Sequence, residues 1–298
     1  MAGLGEYAAV ARAPFLLLPP TLVASGAAGA AWNGSFSWLH TVLALVGMVV
    51  LHMAVNILNE WSDMRTGIDL NTERPPFSGG SGTLPAGGMS TRAALVFGLV
   101  CSAVGLAIGL WFFAKLGWVL LPILVAGAVS VLAYTDVLAR IGVGEIAAGF
   151  GLGLGPVVGT ALVQDGSWST AAVAASIPAF FMTFNLLLLN EFPDEAADRA
   201  GGRRNLVILL GRNRAAWVYA AAGLAVPLSI IAAVALDALP SMVLVAVLPS
   251  LLLVQPLRWV IADPSQPVPI PALGANVIWN LATNSLVAIT LVISIVQR

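Results

Sequence analysis

The chain has 298 residues, of which 59% are hydrophobic and only 9% charged, and its mean hydropathy is +0.95. This composition excludes an ordinary soluble protein and predicts an integral membrane protein. The net charge of −1 argues against a nucleic-acid partner, which would require a basic surface. A single cysteine, Cys101, leaves no disulfide framework and no cysteine-based zinc spacing.

Apolar runs long enough to cross about 30 Å of hydrocarbon recur along the whole chain. They lie near residues 13–32, 37–58, 91–113, 116–135, 142–163, 168–190, 214–236, 239–261 and 272–296. The first run ends in a stretch that imitates a signal-peptide cleavage site, but we interpret it as a helix because many more runs follow. The sequence therefore predicts one all-α domain over residues 1–298 with nine transmembrane helices.

The basic residues predict how these helices are oriented. Eleven of the 13 Lys and Arg residues fall on one side of the nine-helix arrangement, and only Lys115 and Arg298 fall on the other. Cytoplasmic loops carry the excess of basic residues in membrane proteins. We therefore expect the N-terminus and the loops that follow the second and sixth helices to lie in the cytoplasm. The membrane itself is expected to be a prokaryotic cell (inner) membrane.

A short polar motif occurs twice in the chain. LNEWSD at 58–63 recurs as LNEFPD at 189–194, and each copy is followed by a further acid, Asp69 or Asp198. The copies end the second and the sixth predicted helices, four crossings apart, so both should emerge on the same side. This arrangement predicts two parallel four-helix repeats plus a ninth helix around a central cavity, whereas inverted repeats would face opposite sides.

The residue types in these motifs indicate a metal and phosphate site. A helix through 55–63 would place the side chains of Asn56, Asn59, Glu60 and Asp63 within about one third of its circumference. Polar groups in hydrocarbon are costly unless they have a partner. Eight acids converge on the same side: Glu60, Asp63, Asp69, Glu73, Glu191, Asp194, Glu195 and Asp198. Carboxylate and amide oxygens suit Mg²⁺, and the arginines among them suit phosphate, so we expect a metal-bridged diphosphate with a lipid tail inside the bundle.

On these motifs the chain resembles the UbiA superfamily of membrane prenyltransferases. Asn59, Asp63 and Asp69 match the first family motif, and Asn190, Asp194 and Asp198 match the second. The upstream Asn56 and the segments at 142–164 and 198–211 are similar to the 1,4-dihydroxy-2-naphthoate (menaquinone-type) branch. Glu60, Arg203 and Asn205 depart from the pattern of that branch, where Asp, Lys and Thr are usual.

The resemblance implies a Mg²⁺-dependent transfer of a polyprenyl group from an allylic polyprenyl diphosphate to an aromatic acceptor, a quinone precursor. It implies that the two Asn-Asp-Asp sets hold the metal and that Asp63, Asp69, Asp194, Asp198 and Tyr134 take part in catalysis. The groups expected to contact the substrates are Asn56, Asn59, Glu60, Arg74, Asn190, Arg199, Arg203 and Asn276. Trp61, Phe184 and Phe192, together with Tyr134, are candidates to shield an allylic cation, although core packing is the favoured interpretation for each.

Two questions stay open at this point. Asn276, Asn280 and Asn284 form one stripe on the last helix, and either its cytoplasmic end lines the cavity or the amides only join helices. The same fold could also serve a membrane terpene cyclase, in which the cation is trapped by its own chain. A non-enzymatic transporter or lipid-binding protein is disfavoured by the one-sided charge and the parallel repeat.

Overall fold

The computed structural model describes residues 2–72, 74 and 79–298, and this part of the chain is helical throughout, with no β-strand. Its α-helices are α1 (Leu4–Val10), α2 (Leu18–Trp32), α3 (Trp38–Thr66), α4 (Ile68–Asn71), α5 (Thr91–Leu116), α6 (Leu121–Leu132), α7 (Ala139–Ile141), α8 (Gly144–Gly149), α9 (Gly155–Asp165), α10 (Thr170–Ala200), α11 (Leu206–Leu210), α12 (Arg212–Ala235), α13 (Val254–Ala262) and α14 (Ile270–Val296).

Tighter and wider helical segments connect several of these α-helices. The 3₁₀ segments are Ala13–Leu17, Gly117–Leu120 and Ser241–Leu253, and the π-helical segments are Tyr134–Leu138 and Phe150–Leu154. The glycine-rich run predicted as one helix at 142–163 is therefore α8, a π-helical segment and α9 in succession. π-Helical segments often mark functional sites, and both of these contribute residues to the cavity described below.

Short polar side chains and glycines set where the long helices begin and end. Ser37, Ser90 and Ser169 each accept a hydrogen bond from a backbone N–H in the first turn of α3, α5 and α10. Gly67 takes φ 80°, a left-handed conformation that glycine adopts without strain, and it ends α3. Because the chain turns there, Asp69 lies in a new short helix, α4, and does not continue the face that carries Asp63.

Eight helical stretches in the described residues are long and apolar enough to cross a membrane, which confirms an all-α integral membrane protein. They are Ala13–Trp32, Trp38–Thr66, Thr91–Leu132, Gly144–Asp165, Thr170–Ala200, Arg212–Ala235, Ser241–Ala262 and Ile270–Val296. The count of nine is not confirmed, because the predicted helices at 91–113 and 116–135 fall within one stretch of 42 residues.

Close contacts between small residues hold neighbouring helices together. A side-chain carbon built on Gly26 of α2 would lie 2.3 Å from the carbonyl oxygen of Val157 on α9. One built on Gly29 would lie 2.8 Å from Cα of Ala172 on α10. Glycine at such points lets the two backbones approach closely. Inside a membrane the hydrophobic effect does not drive helices together, so this close packing is an important part of their association energy.

The asparagine stripe on α14 divides between packing and the cavity. Asn276 accepts a hydrogen bond at 3.0 Å from the Tyr219 hydroxyl of α12 and donates one at 3.2 Å to the carbonyl of Asn185 on α10. All three residues are buried, and Asn276 is not among the residues that line the cavity. The prediction that Asn276 lines the cavity is therefore wrong in this structure, since its amide joins three helices. Asn280, one turn further on, does line the cavity.

We expect Asn276→Leu to lower stability without removing a cavity group. The substitution leaves the buried Tyr219 hydroxyl without its acceptor, which costs about 1–3 kcal/mol. Thermal unfolding in detergent measures the loss, with Asn213→Leu, at an exposed position on α12, as the control. An unchanged melting temperature would show that the amide has no structural role.

Candidate active site

The two polar motifs face one shared cavity. Asp63 near the end of α3 and Asp194 near the end of α10 both line it, together with the π-helical segments and residues of α5, α6 and α14. The cavity volume is about 470 Å³. Its mouth is polar, and below the mouth its wall is formed mainly by leucine, isoleucine, valine and glycine.

Most of the residues predicted for the site lie on this cavity. Nine of them line it: Asn56, Asn59, Asp63, Asp69, Tyr134, Asn190, Asp194, Asp198 and Arg203. They come from four separate parts of the chain, and the fold brings them to the same mouth. Their chemical roles stay predictions, since what the structure provides is their placement.

Arg203 connects the two motifs directly. One nitrogen of its guanidinium, Nη2, donates to Asp63 Oδ1 and, at 2.8 Å, to Asn59 Oδ1 of the first motif. The other, Nη1, lies 3.3 Å from Asp198 Oδ1 of the second motif. Burial alone would lower the pKa of Arg203, but the charges of Asp63 and Asp198 outweigh it and hold the pKa above its usual range. The cation at the centre of the mouth is therefore permanent.

Asp69, the last acid of the first motif, is held beside this cluster by Arg74. An Arg74 nitrogen donates to the backbone carbonyl of Asp69 at 2.5 Å and lies 3.9 Å from its Oδ1. Asp69 Oδ2 is buried and accepts no hydrogen bond from the described residues. Burial, followed by the charges of Asp63 and Glu60, raises the pKa of Asp69 to about 7. Such an oxygen is suited to a divalent cation.

The second motif is braced by the loop that follows α10. Asn205 donates through Nδ2 to Asp198 Oδ2 at 2.9 Å, and its own oxygen accepts from the backbone N–H of Ile208 at 3.0 Å. One amide therefore orients a motif carboxylate and caps α11. A threonine, usual here in the menaquinone-type branch, has a single hydroxyl and could not reach both groups in this way.

The residues at the mouth fit a magnesium ion that shares its coordination with a phosphate. Among the described residues, five carboxylates line the cavity against two guanidinium groups, so negative charge is in excess. No three Asp, Glu, His or Cys side chains in that part of the chain are close enough to hold one ion. Mg²⁺ typically uses one or two carboxylates together with substrate phosphate oxygens, so the two motifs suit ions completed by a ligand.

Three predicted site residues do not line the cavity in this structure, and their binding roles stay predictions. Glu60 does not line the cavity, because its carboxylate accepts from the N–H of Ser81 at 2.7 Å and from its hydroxyl at 2.6 Å. Arg199 is exposed and pairs with Glu195 at 3.0 Å, outside the cavity. Arg74 supports Asp69 and is likewise absent from the lining. Glu73 lies outside the described residues.

The Ser81 contact of Glu60 has a consequence for the glycine-rich loop. It fastens the described end of that loop across the mouth, where Gly79 and Gly80 join the cavity lining. From the sequence, the loop PPFSGGSGTLPAGG at 75–88 could close over the head group or be an ordinary linker, and its residues 75–78 lie outside the described residues.

Of the four aromatic candidates, only Tyr134 lines the cavity. The Arg65 guanidinium lies 4.4 Å from the centre of the Trp61 ring, and Phe184 stacks on Phe180 at 6.3 Å. Phe192 is buried against Trp259. Core packing, the interpretation favoured for each from the sequence, describes Phe184 and Phe192.

Arg12 is a basic cavity residue that the sequence reasoning did not place in the site. Arg12 lines the mouth with φ 54° and ψ 53°, a left-handed conformation that is uncommon for residues other than glycine. Asn56 donates to the carbonyl of the preceding Ala11 at 3.0 Å and so holds this turn in place. An arginine at the start of an apolar run was used only as an orientation signal, and the hydrogen bond that Asn56 donates to the neighbouring Ala11 carbonyl could not be inferred without the fold.

Comparison with known proteins agrees with this geometry. Residues 17–281 match the UbiA prenyltransferase family. The chain is 29% identical to digeranylgeranylglyceryl phosphate synthase of Natronomonas pharaonis over 71% of its length and 72% of that protein. It is 28% identical to 1,4-dihydroxy-2-naphthoate octaprenyltransferase of Mycobacterium leprae, with 74% of both chains covered. The similarity to the Bacillus subtilis protein of the latter name is 26% and spans 57% of this chain and 55% of that protein.

Solved structures show the same fold. The apo structure of a UbiA homologue from Aeropyrum pernix superposes with a TM-score of 0.69 at 21% identity, covering 92% of this chain and 97% of the other. A homologue from Archaeoglobus fulgidus bound to GPP and Mg²⁺ gives 0.64 at 17% identity, covering 95% and 99%. Since the family match spans most of the chain and includes both motifs, this protein belongs to the UbiA prenyltransferase family.

Proposed function

We propose that this enzyme transfers a polyprenyl group from an allylic polyprenyl diphosphate to an aromatic acceptor that is a quinone precursor, such as 1,4-dihydroxy-2-naphthoate, with Mg²⁺ as cofactor. The observation that carries the proposal is the pairing of two acid-and-amide motifs around Arg203 at the mouth of an apolar cavity. Two relatives that carry the name of that activity, and a homologue that binds GPP with Mg²⁺, support it.

The residues of the mouth would hold the diphosphate end of the donor. Asn59, Asp63 and Asp69 on one side, and Asn190, Asp194 and Asp198 on the other, offer oxygens to Mg²⁺, which when bound neutralises the leaving diphosphate. Arg203 lies between the two sets and presents N–H donors in a fork that matches phosphate geometry. Arg12 adds a second guanidinium at the mouth, while Arg74 acts by supporting Asp69.

The reaction follows from where negative charge accumulates. The allylic C–O bond breaks and its electron pair leaves with the diphosphate, so that the cationic groups stabilise the developing charge. The allylic carbon then takes an electron pair from an electron-rich ring carbon of the acceptor, and that carbon loses its proton to solvent. Tyr134, at the boundary between the polar mouth and the apolar wall, presents the one aromatic face from the predicted set near the cation.

We propose that residues 91–132 cross the membrane twice, which would restore nine crossings. Gly117 breaks the stretch with φ 72°, and a side-chain carbon on Gly109 would lie 2.7 Å from Leu124. In one continuous helix Gly109 and Leu124 would be separated by about 22 Å along the axis. The N-terminus and the cavity mouth would then face the cytoplasm of a prokaryotic cell, as the distribution of basic residues predicts.

A second acceptor class is favoured by one comparison. The relative named digeranylgeranylglyceryl phosphate synthase aligns with this chain over more than two thirds of both proteins. Its name implies an acceptor that is a lipid phosphate and has no aromatic ring.

An assay of product formation decides between the two acceptor classes. Purified protein is incubated with Mg²⁺, geranylgeranyl diphosphate and a panel of aromatic acids, phenols and geranylgeranylglyceryl phosphate, and the products are identified by mass spectrometry. Hydrocarbon products without an acceptor would instead identify a terpene cyclase.

Asp63→Asn and Asp194→Asn should each lower kcat about 100-fold or more at saturating Mg²⁺, because each removes a charged oxygen from the metal set. Product formation measured by mass spectrometry tests this, and Asp237→Asn, an exposed acid at the end of α12, is the control. Near wild-type rates in either motif variant would exclude that carboxylate from the metal site.

Arg203 and Arg199 are four residues apart in the chain, but only Arg203 lines the cavity, so the two make a matched pair for substitution. Arg203→Gln should lower kcat/KM for the donor about 100-fold, since charge that stabilises the leaving group is lost. Arg203→Lys should recover part of this loss, because it keeps the charge but not the fork. Arg199→Gln should stay close to wild type, as its partner Glu195 lies outside the cavity. Equal losses in both glutamine variants would contradict the placement of these two side chains.

A further inference from the structure

The apolar part of the cavity has an unusual number of glycines in its wall. Seven of them are Gly47, Gly105, Gly109, Gly127, Gly151, Gly155 and Gly159. At six of these positions a side-chain carbon would come within 3.3 Å of a neighbouring atom, so the absent side chain lets segments pack. At Gly127 such a carbon would meet nothing within 4 Å. Gly127 therefore leaves space that no other group fills.

The helical geometry of α6 shows that this space belongs to the cavity. Leu121, Val125 and Val129 are exposed and mark the lipid-facing side of α6. At 100° per residue, Gly127 lies roughly 160° from the centre of that side. It falls instead on the side of Ile123, Leu124 and Val131, all of which line the cavity. A side chain at position 127 would project inward.

Gly127 also lies midway along the path that a lipid tail would take. Tyr134 at the mouth and Leu120 at the deep end are each seven residues away, or roughly 10 Å along the helix. A group of one isoprene unit attached to a diphosphate at the mouth stays above Gly127. A chain of four such units has to pass it.

The deep end beyond Gly127 is closed. Phe112, Leu120 and Val163 are buried in one apolar cluster and form the end of the cavity. Beside this cluster the side-chain oxygen of Gln164 accepts from the N–H of Ser37 at 2.8 Å, and the backbone carbonyl oxygen of Gln164 lies 3.1 Å from Nδ1 of His40. A tail that fills the cavity therefore ends against packed side chains. To reach them, it has to pass through the space beside Gly127.

We infer that Gly127 determines which tail lengths this enzyme accepts, by leaving the mid-depth passage open to long prenyl chains. The inference rests on the proposed function, since it takes a prenyl diphosphate as the donor. It adds a specificity-determining position that lies far from both polar motifs. A larger residue at 127 would exclude long tails and leave the diphosphate site and short donors undisturbed.

A graded series, Gly127→Ala, Gly127→Val and Gly127→Leu, tests the inference, with Val129→Leu on the lipid-facing side of α6 as control. Transfer is measured with dimethylallyl diphosphate and with geranylgeranyl diphosphate. We expect the kcat/KM for geranylgeranyl diphosphate to fall as the side chain grows, by about tenfold or more for leucine. The kcat/KM for dimethylallyl diphosphate should stay within about twofold of wild type, as should both donors with Val129→Leu.

Binding provides a readout that does not depend on turnover. The rise in melting temperature caused by the unreactive thiolodiphosphate analogues of the two donors is measured with Mg²⁺ present. We expect Gly127→Leu to keep the shift with the dimethylallyl analogue and lose it with the geranylgeranyl analogue. Equal responses to both analogues, or an unchanged length preference in transfer, would overturn the role of Gly127. A wild-type protein that transfers neither donor would overturn the proposed function instead, and the binding shifts would still decide the tail site.

Discussion

The bridge that Arg203 makes between Asp63 and Asp198 is the interaction on which the site depends. The two carboxylates come from helices separated by more than 100 residues of chain, and they share a mouth with three further acids. Without a cation between them, their repulsion would push α3 and α10 apart. Arginine suits this position better than lysine would, because two guanidinium nitrogens reach the two motifs at once, whereas an ammonium is a single point of charge. The departure from the menaquinone-type pattern is thus compatible with a site that spans the two motifs.

The remaining polar groups near the mouth are arranged as supports for this centre. Asn205 orients Asp198, Arg74 holds Asp69, and Glu60 anchors the loop that carries Gly79 and Gly80. Glu60 and Arg74 were expected to contact the substrates, whereas Asn205 was noted only as a departure from the menaquinone-type pattern. In the structure these three side chains contact Asp198, Asp69 and Ser81, which places them beside the groups that face the cavity. Such supporting residues commonly decide how well metal ligands are oriented.

Much of the fold could be predicted from the sequence because bilayer thickness fixes the length of each apolar run. The contrast between Arg199 and Arg203 shows where prediction stopped. Both are basic residues beside the same acids, but α10 ends at Ala200 and the chain turns at Gly202 with φ 81°, which returns only Arg203 to the cavity. The asparagines of α14 pose the same difficulty, since three amides share a stripe and only the neighbouring helices determine which of them faces the cavity. Hydropathy also could not settle the crossings in 91–132, where Gly117 with φ 72° interrupts a predominantly apolar stretch.

The glycine wall of the cavity has an evolutionary consequence. Any glycine codon becomes an alanine or a valine codon through one base change at its second position. At six of the seven wall glycines the new side-chain carbon would press on a neighbouring atom, so the change would require local repacking. At Gly127 it would cost the fold little. Descendants of this gene could therefore change the lipid they use in a single mutational step, with both metal-binding motifs left intact.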